Sequence, residues 1–244
     1  MRKSVLAEIM AARSAKTPVV LITHIPTGAQ TLVTQTAILT RDGDLDEGWP
    51  DDEELLAAAD HALVQDKSRR YPDAAGDLFV QAFNPPKRLI LVGAVHIAQK
   101  LAPMAVLAEF DVTIVDPRGA FATTDRFPGV TLATDWPDEA LERLDIDRRT
   151  AVVTLTHDPK LDDPALAVAL KSDAFYIGSL GSRRTHKSRL ERLAQEGFGA
   201  ADVARIHGPV GLALGAQSPS EIALSILAQI TQVLHGAGQK ETAS

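Results

Sequence analysis

The sequence predicts an α/β protein, with a doubly wound parallel sheet that follows a small α+β domain. Three observations carry this. Arg88-Leu89-Ile90-Leu91-Val92 runs into Gly93-Ala94-Val95-His96-Ile97-Ala98 and on to Asp111-Val112-Thr113-Ile114-Val115-Asp116. That is strand, tight glycine turn, helix, second strand, and a carboxylate at the second strand's end, the opening unit of a Rossmann-like domain. From Lys87 onward, apolar runs of strand length alternate with helical periodicity, as strands buried on both faces do. Asn84-Pro85-Pro86 breaks the chain where the pattern changes, so 1–84 read as a small N-terminal α+β domain, 85–236 as the Rossmann-like domain and 237–244 as a flexible tail.

The elements follow in order. Residues 1–12 form a helix with Val5, Leu6 and Ile9 on one face. Pro18 to Thr23 is a strand, and Gln30 to Thr40 holds two more β-rich runs, Thr31-Leu32-Val33 and Ala37-Ile38-Leu39. Arg41-Asp42-Gly43-Asp44 is a turn by its Asp-Gly pair. Asp51 to Gln65 is a helix capped by Asp51 or Asp52, and Leu78 to Phe83 is a strand. Beyond the break, strands are expected at Arg88–Val92, Val112–Val115, Val130–Leu132, Ala151–Leu155 and Ala174–Ile177. Helices are expected at His96–Ala108, Asp138–Leu144, Pro164–Leu170, Arg184–Glu196 and Ser218–Leu234.

Composition narrows the function. Apolar residues make up 45% of 244, enough for a full core. A net charge of −7 argues against a whole-surface nucleic-acid binder. There is no cysteine, which removes disulfides, thiolate metal sites and a cysteine nucleophile and fits a cytoplasmic protein. No apolar run approaches the roughly 18 residues of a membrane span. Met1 to Met10 lacks a signal-peptide core. The N-terminal segment is expected to have little core of its own, which points to a homodimer.

A parallel sheet of this kind binds ligands beyond the carboxyl ends of its strands. The first candidate group there is Gly93, Ala94, Val95 and His96, at a turn that aims backbone N–H groups at a phosphate. Ala98 is an accepted third residue of the glycine fingerprint, but Val95 replaces the second glycine and crowds a pyrophosphate. Asp116 lies 23 residues after Gly93, near the spacing of a ribose-binding carboxylate, and reads equally as a loop cap. Arg118 beside it could attract a phosphate. Gly178, Gly181, Ser182, Arg183 and Arg184 form the strongest anion signal, with two glycines that free the backbone and Arg183, Arg184 and Lys187 crowded at a helix start. Glu191 could instead pair that basic face, and His186 falls on the Leu190, Leu193 stripe. His157 and Asp158, with Asp162 and Asp163 just beyond, could be an acid/base pair or a hard-metal site, but one histidine and nearby carboxylates do not specify a metal. His157 stays open, whereas Asp163 before Pro164 reads as a helix cap. His207 with Gly208-Pro209 could close the pocket from the side. No G-x-S-x-G, Walker loop or H-E-x-x-H occurs, and neither catalytic nor metal-binding residues are assigned.

Four stretches together resemble the XdhC/CoxI family. They are Gly93 to Ala98, Thr156-His157-Asp158-Pro159-Lys160-Leu161-Asp162-Asp163-Pro164, Gly178-Ser179-Leu180-Gly181-Ser182-Arg183-Arg184-Thr185-His186, and Gly208-Pro209-Val210-Gly211-Leu212 with Ser218 to Ala223. The resemblance covers about residues 84–235. It implies a cytoplasmic accessory protein, not an enzyme, that binds molybdenum cofactor (molybdopterin). Such a protein protects the cofactor, supports its sulfuration by a cysteine desulfurase-type sulfurase, and delivers it to a xanthine dehydrogenase-like molybdenum hydroxylase. Thr23-His24-Ile25-Pro26-Thr27-Gly28-Ala29-Gln30 stands where the family has a glycine-rich loop, shortened and without its arginine. Family members often carry cysteines, and without them this chain cannot ligate molybdenum through a thiolate. Two other readings rank below: an NAD(P)-dependent oxidoreductase, which Val95 opposes, and a non-catalytic nucleotide-binding scaffold. No nucleic-acid or membrane partner is expected.

Overall fold

The computed structural model describes residues 3–42, 51–73 and 76–236. The chain divides into two compact units, Met1–Pro85 and Pro86–Ser244.

The first unit holds α1 (Lys3–Ser14), β1 (Val19–His24), β2 (Gln30–Val33), β3 (Ile38–Asp42), α2 (Asp52–Gln65), β4 (Arg69–Asp73) and β5 (Gly76–Phe83). Its five strands pair antiparallel in the order β3-β2-β1-β5-β4. β1 is the central strand and its side chains divide by parity. Val19 and Leu21 meet Val5 and Ile9 of α1 on one face, while Val20 and Ile22 meet Leu55, Ala59 and Leu63 of α2 on the other. A sheet covered on both faces gives this unit two apolar clusters of its own, so the expectation of little core is overturned. The side chain of Asp51 caps α2, accepting from Glu54 N at 3.0 Å. Two local expectations change. Arg41 and Asp42 belong to β3 instead of a turn, while Gly43 and Asp44 lie outside the described residues. Arg69–Asp73, unassigned from the sequence, is an edge strand paired with β5, and edge strands tolerate charge and proline.

The second unit holds β6 (Lys87–Val92), α3 (His96–Leu107), β7 (Phe110–Val115), β8 (Thr131–Ala133), α4 (Pro137–Arg143), β9 (Thr150–Thr154), α5 (Pro159–Lys171), β10 (Tyr176–Ser179), α6 (Arg183–Gln195), α7 (Ala200–Val203), β11 (Ile206–His207) and α8 (Pro219–Leu234). All pairings are parallel and the order is β11-β10-β9-β6-β7-β8, the 3-2-1-4-5-6 pattern of a dinucleotide-type fold with β6 as strand 1. Strand order reverses between β6 and β9. Leu89 and Leu91 pack with α3 and α8 on one face, Ile90 and Val92 with α4, α5 and α6 on the other. The sheet is therefore doubly wound. The expected tail, 237–244, lies outside the described residues.

Three expectations are corrected here. α5 begins at Pro159, not Pro164, because Asp158 caps it by accepting from Lys160 N at 3.0 Å. β11, read as loop, adds a sixth strand. Gly178 and Ser179, read as loop, lie inside β10, where Gly178 makes room for its neighbours: a Cβ there would sit 2.6 Å from Val210 Cγ2 and 2.9 Å from the Tyr176 ring. Overpacking of this kind costs about 1–3 kcal/mol. Gly178→Ala is therefore expected to lower unfolding free energy by about that amount in urea titrations, and adding Val210→Ala should restore part of it. Equal stability of Gly178→Ala and the parent overturns this assignment.

Candidate functional site

Parallel register brings the carboxyl ends of these strands to one edge, and each loop there is fastened to its neighbour. Backbone bonds extend the ladder past the strand ends: Leu155 N donates to Val92 O at 2.9 Å, and Leu180 N to Thr154 O at 2.9 Å. Gly93 opens the turn before α3. It needs glycine twice over, for a φ of +112° and because a Cβ would lie 2.6 Å from Thr156 Cγ2. The α3 N-terminus follows with Val95 as N-cap and no side chain capping it. Its first N–H groups are thus left for another acceptor. Val95 packs partly into the core, and His96 is exposed.

Asp116 is fully buried, and its two oxygens are engaged by the protein itself. Oδ2 accepts from Ala94 N at 2.8 Å and Arg118 Nη2 at 2.8 Å, and Oδ1 accepts from Arg118 N and Nε, both at 2.9 Å. Four donors fill the four lone-pair directions of a carboxylate, so none remains for a ribose hydroxyl. Asp116 braces the Gly93 turn against the loop after β7. Arg118, half exposed, stacks over Phe121 at 4.9 Å. Burial alone would raise the Asp116 carboxyl, but the Arg118 hydrogen bond and the Ala94 and Arg118 backbone bonds outweigh it and hold the group below its ordinary value.

The loop after β9 is organised by Asp162, which is 1% exposed. Its Oδ1 accepts from Thr156 Oγ1 at 2.7 Å and Thr156 N at 3.3 Å, and its Oδ2 from His157 N at 3.1 Å. These bonds hold His157 at a φ of +63°, a left-handed conformation that costs about 1–2 kcal/mol outside glycine. Asp163, expected as a cap, instead accepts from Arg192 Nε and Nη2 at 2.5 and 3.1 Å.

Sequence reasoning missed Arg189. It is 2% exposed. Its Nη2 donates to Leu180 O at 3.0 Å and lies 3.6 Å from Asp162 Oδ2, while Nε and Nη1 have no hydrogen-bond partner. Burial pushes the guanidinium's pKa down and the Asp162 carboxyl's up, and their mutual attraction only partly offsets this. Arg189 shares one face of α6 with Thr185, Ser188 and Arg192, at i, i+3, i+4 and i+7, and that spacing was the available signal. This face and the left-handed His157 line a cavity of about 240 Å³, which Arg184 also borders.

The remaining candidates are dispersed. Gly181, at φ +147°, leads to Ser182, whose side chain caps α6 by accepting from Thr185 N at 3.1 Å. Arg183 and Arg184 are exposed on the first turn, and only Arg184 borders the cavity. His186 packs against Gly208, where a Cβ would overlap its ring, and His207 stacks on Tyr176 at 4.7 Å. Both histidines serve packing. Buried hydroxyls of Thr154 and Ser179 share a hydrogen bond of 2.5 Å across the ends of β9 and β10. Among the described residues no group of three metal-ligating side chains converges, and no helix is long and apolar enough to cross a membrane.

Asp116→Asn should destabilise the chain by about 1–3 kcal/mol at neutral pH, since a carboxamide offers donors where acceptors are needed. The folded group titrates below its ordinary value of 3.8. Its contribution is therefore complete above that value and is lost as pH falls through the lower folded one. The gap between parent and variant should close on the acid limb of urea unfolding, and a gap independent of pH overturns this.

A family model described as the XdhC Rossmann domain matches residues 89–230. A protein of Bacillus subtilis (strain 168), named as a probable subunit of xanthine dehydrogenase, is 34% identical over 161 residues, 66% of this chain and 47% of that protein. The molybdenum cofactor insertion chaperone PaoD of Escherichia coli (strain K12) is 32% identical over 155 residues, 64% of this chain and 42% of PaoD. A solved structure from Bacillus halodurans, described as a xanthine dehydrogenase, matches with a TM-score of 0.72 over 96% of this chain and 64% of that one. At 23% identity that likeness is one of fold. The chain spans less than half the length of the curated relatives it matches. The matched region takes in the Gly93 turn, Asp116, Asp162 and Arg189 together, and the chain belongs to the XdhC Rossmann domain family.

Proposed function

We propose that this chain is a molybdenum cofactor-binding chaperone acting in the cytoplasm. It shields the cofactor, supports its sulfuration by a partner sulfurase and hands it to a xanthine dehydrogenase-like molybdenum hydroxylase. The observation that carries this reading is the likeness to a relative named as a molybdenum cofactor insertion chaperone, together with the XdhC Rossmann domain match over 89–230, the region that builds the sheet edge. Molybdopterin ends in a phosphate, and the donor set at that edge suits one. The α3 N-terminus has no side-chain cap, and Arg183 and Arg184 stand exposed at the start of α6. The residues proposed to contact the cofactor are Gly93, Ala94, Val95, His96, His157, Gly181, Ser182, Arg183 and Arg184. Arg118 and Asp116 hold the turn in shape, and Gly178 sets the packing beneath. When bound, the cofactor itself carries the molybdenum and its sulfido ligand. The chain, which has no cysteine, would grip the organic end and exclude water.

A chaperone needs affinity and release rather than a proton donor or nucleophile. The internal engagement of Asp116 and the side chain at Val95 both weigh against a dinucleotide bound in the usual way.

Cofactor released anaerobically from a molybdenum hydroxylase should co-elute with the purified chain and survive longer in air than free cofactor. Arg183→Ala and Arg184→Ala should each weaken binding roughly tenfold. Equal decay of the cofactor with and without the chain overturns the reading. So does saturable NADH or NADPH binding, followed by fluorescence, combined with no cofactor retention.

A further inference from the structure

The Arg189 guanidinium is a buried cation with donors to spare. Arginine keeps its proton at any working pH, so the charge stays. Asp162 stands 3.6 Å away, and its oxygens are already committed to Thr156 Oγ1, Thr156 N and His157 N. Leu180 O takes one N–H, and Nε and Nη1 have no partner. Buried polar groups in folded proteins are as a rule paired, so a group left this way calls for a ligand or solvent.

The adjoining cavity supplies the room. Its wall includes Arg184, Thr185, Ser188, Arg189 and His157, and no Asp or Glu of the described residues lines it. Arg192, also on the wall, is neutralised by Asp163, whereas Arg184 makes no ion pair with a described residue. The wall therefore carries uncompensated positive charge, two hydroxyls and an imidazole. The volume, about 240 Å³, falls below the roughly 300–1,000 Å³ of sites that enclose drug-sized ligands. It admits a small ion or a single head group. Cations on the first turns of a helix oppose its dipole unless an anion is shared between them.

We infer that the cavity between the loop after β9 and the outer face of α6 is a binding site for a phosphate-class oxyanion, held by Arg189, Arg184 and Ser188. Arg184 and His157 also stand among the proposed cofactor contacts, but the inference is carried by Arg189 and Ser188, which do not, and its test uses no cofactor.

Inorganic phosphate, titrated at constant ionic strength into the full chain, should release saturable heat and raise Tm above the chloride control. Arg189→Gln should weaken binding about tenfold or more. Because replacing a buried arginine can unfold the chain, Ser188→Glu serves as the second variant. It places a carboxylate on an exposed part of the wall and should keep the phosphate-free Tm while losing phosphate binding. Lys187→Ala removes the same unit of charge from α6 outside the cavity and should bind phosphate as the parent does. Two arms identify the source. Displacement of bound phosphate by glycerol 3-phosphate indicates the head group of a larger ligand, and exclusion of that ester indicates the free ion; either result supports the site. No phosphate-dependent heat or Tm shift in the parent, or unaltered binding in Ser188→Glu, overturns it.

Discussion

The Asp162 carboxylate is the constraint on which the rest of the sheet edge depends. It is buried on the first turns of α5 and reaches back to its own loop, accepting from Thr156 and His157. Thr156 then supplies the methyl group against which Gly93 turns, so the turn after β6 is shaped by the loop after β9. On its other side Asp162 faces Arg189, and Arg189 donates to Leu180 O, which belongs to the loop after β10. One carboxylate thereby couples three loops from three adjacent strands. Asp116 adds the fourth by joining Ala94 to Arg118.

Stability alone does not account for such an arrangement. Two charges taken out of water recover their desolvation only when geometry is close and remaining donors are satisfied, and hydrophobic replacements are often no less stable. Asp162 and Arg189 are 3.6 Å apart and Arg189 has two nitrogens without partners, so neither condition is met. His157 adds a left-handed backbone to the same spot. Strain and unpaired donors gathered at one place, while the two core clusters around it are built of aliphatic residues with Phe110, Phe127 and Tyr176, support the reading of this region as shaped for binding more than for folding.

Much of the fold was legible in the residues, and the exceptions have physical reasons. Leu89 to Val92, Val112 to Val115 and Ala151 to Leu155 read as buried parallel strands because both faces of each are covered, which leaves a near-continuous apolar run broken only by Thr113 and Thr154. β4 was missed because an edge strand needs no apolar alternation, and β11 because two residues carry no period. The start of α5 was ambiguous. Asp158-Pro159 and Asp163-Pro164 are equally good cap and first-turn pairs, and the choice is made by where Asp162 finds its partners. At the site, Gly93 and Arg184 were readable from local pattern. Arg189 was not, since an arginine one residue before Leu190 reads as a solvated flank. Only the packing of α6 against the loops beside it buries the guanidinium.

The same geometry explains why a dinucleotide-type strand order need not mean a dinucleotide. In that mode two features cooperate: a bare backbone at the second glycine, so the pyrophosphate can approach, and a free carboxylate after the second strand for the ribose. Here Val95 fills the first position and Asp116 spends its lone pairs on Ala94 and Arg118. What the fold retains is the part that needs neither, an uncapped helix N-terminus at the strand-order reversal. What it adds is positive charge one strand further along, on α6. On the proposed reading, recognition shifts from the sugar toward anionic groups, and a ligand is selected by where its negative charge lies rather than by its ribose.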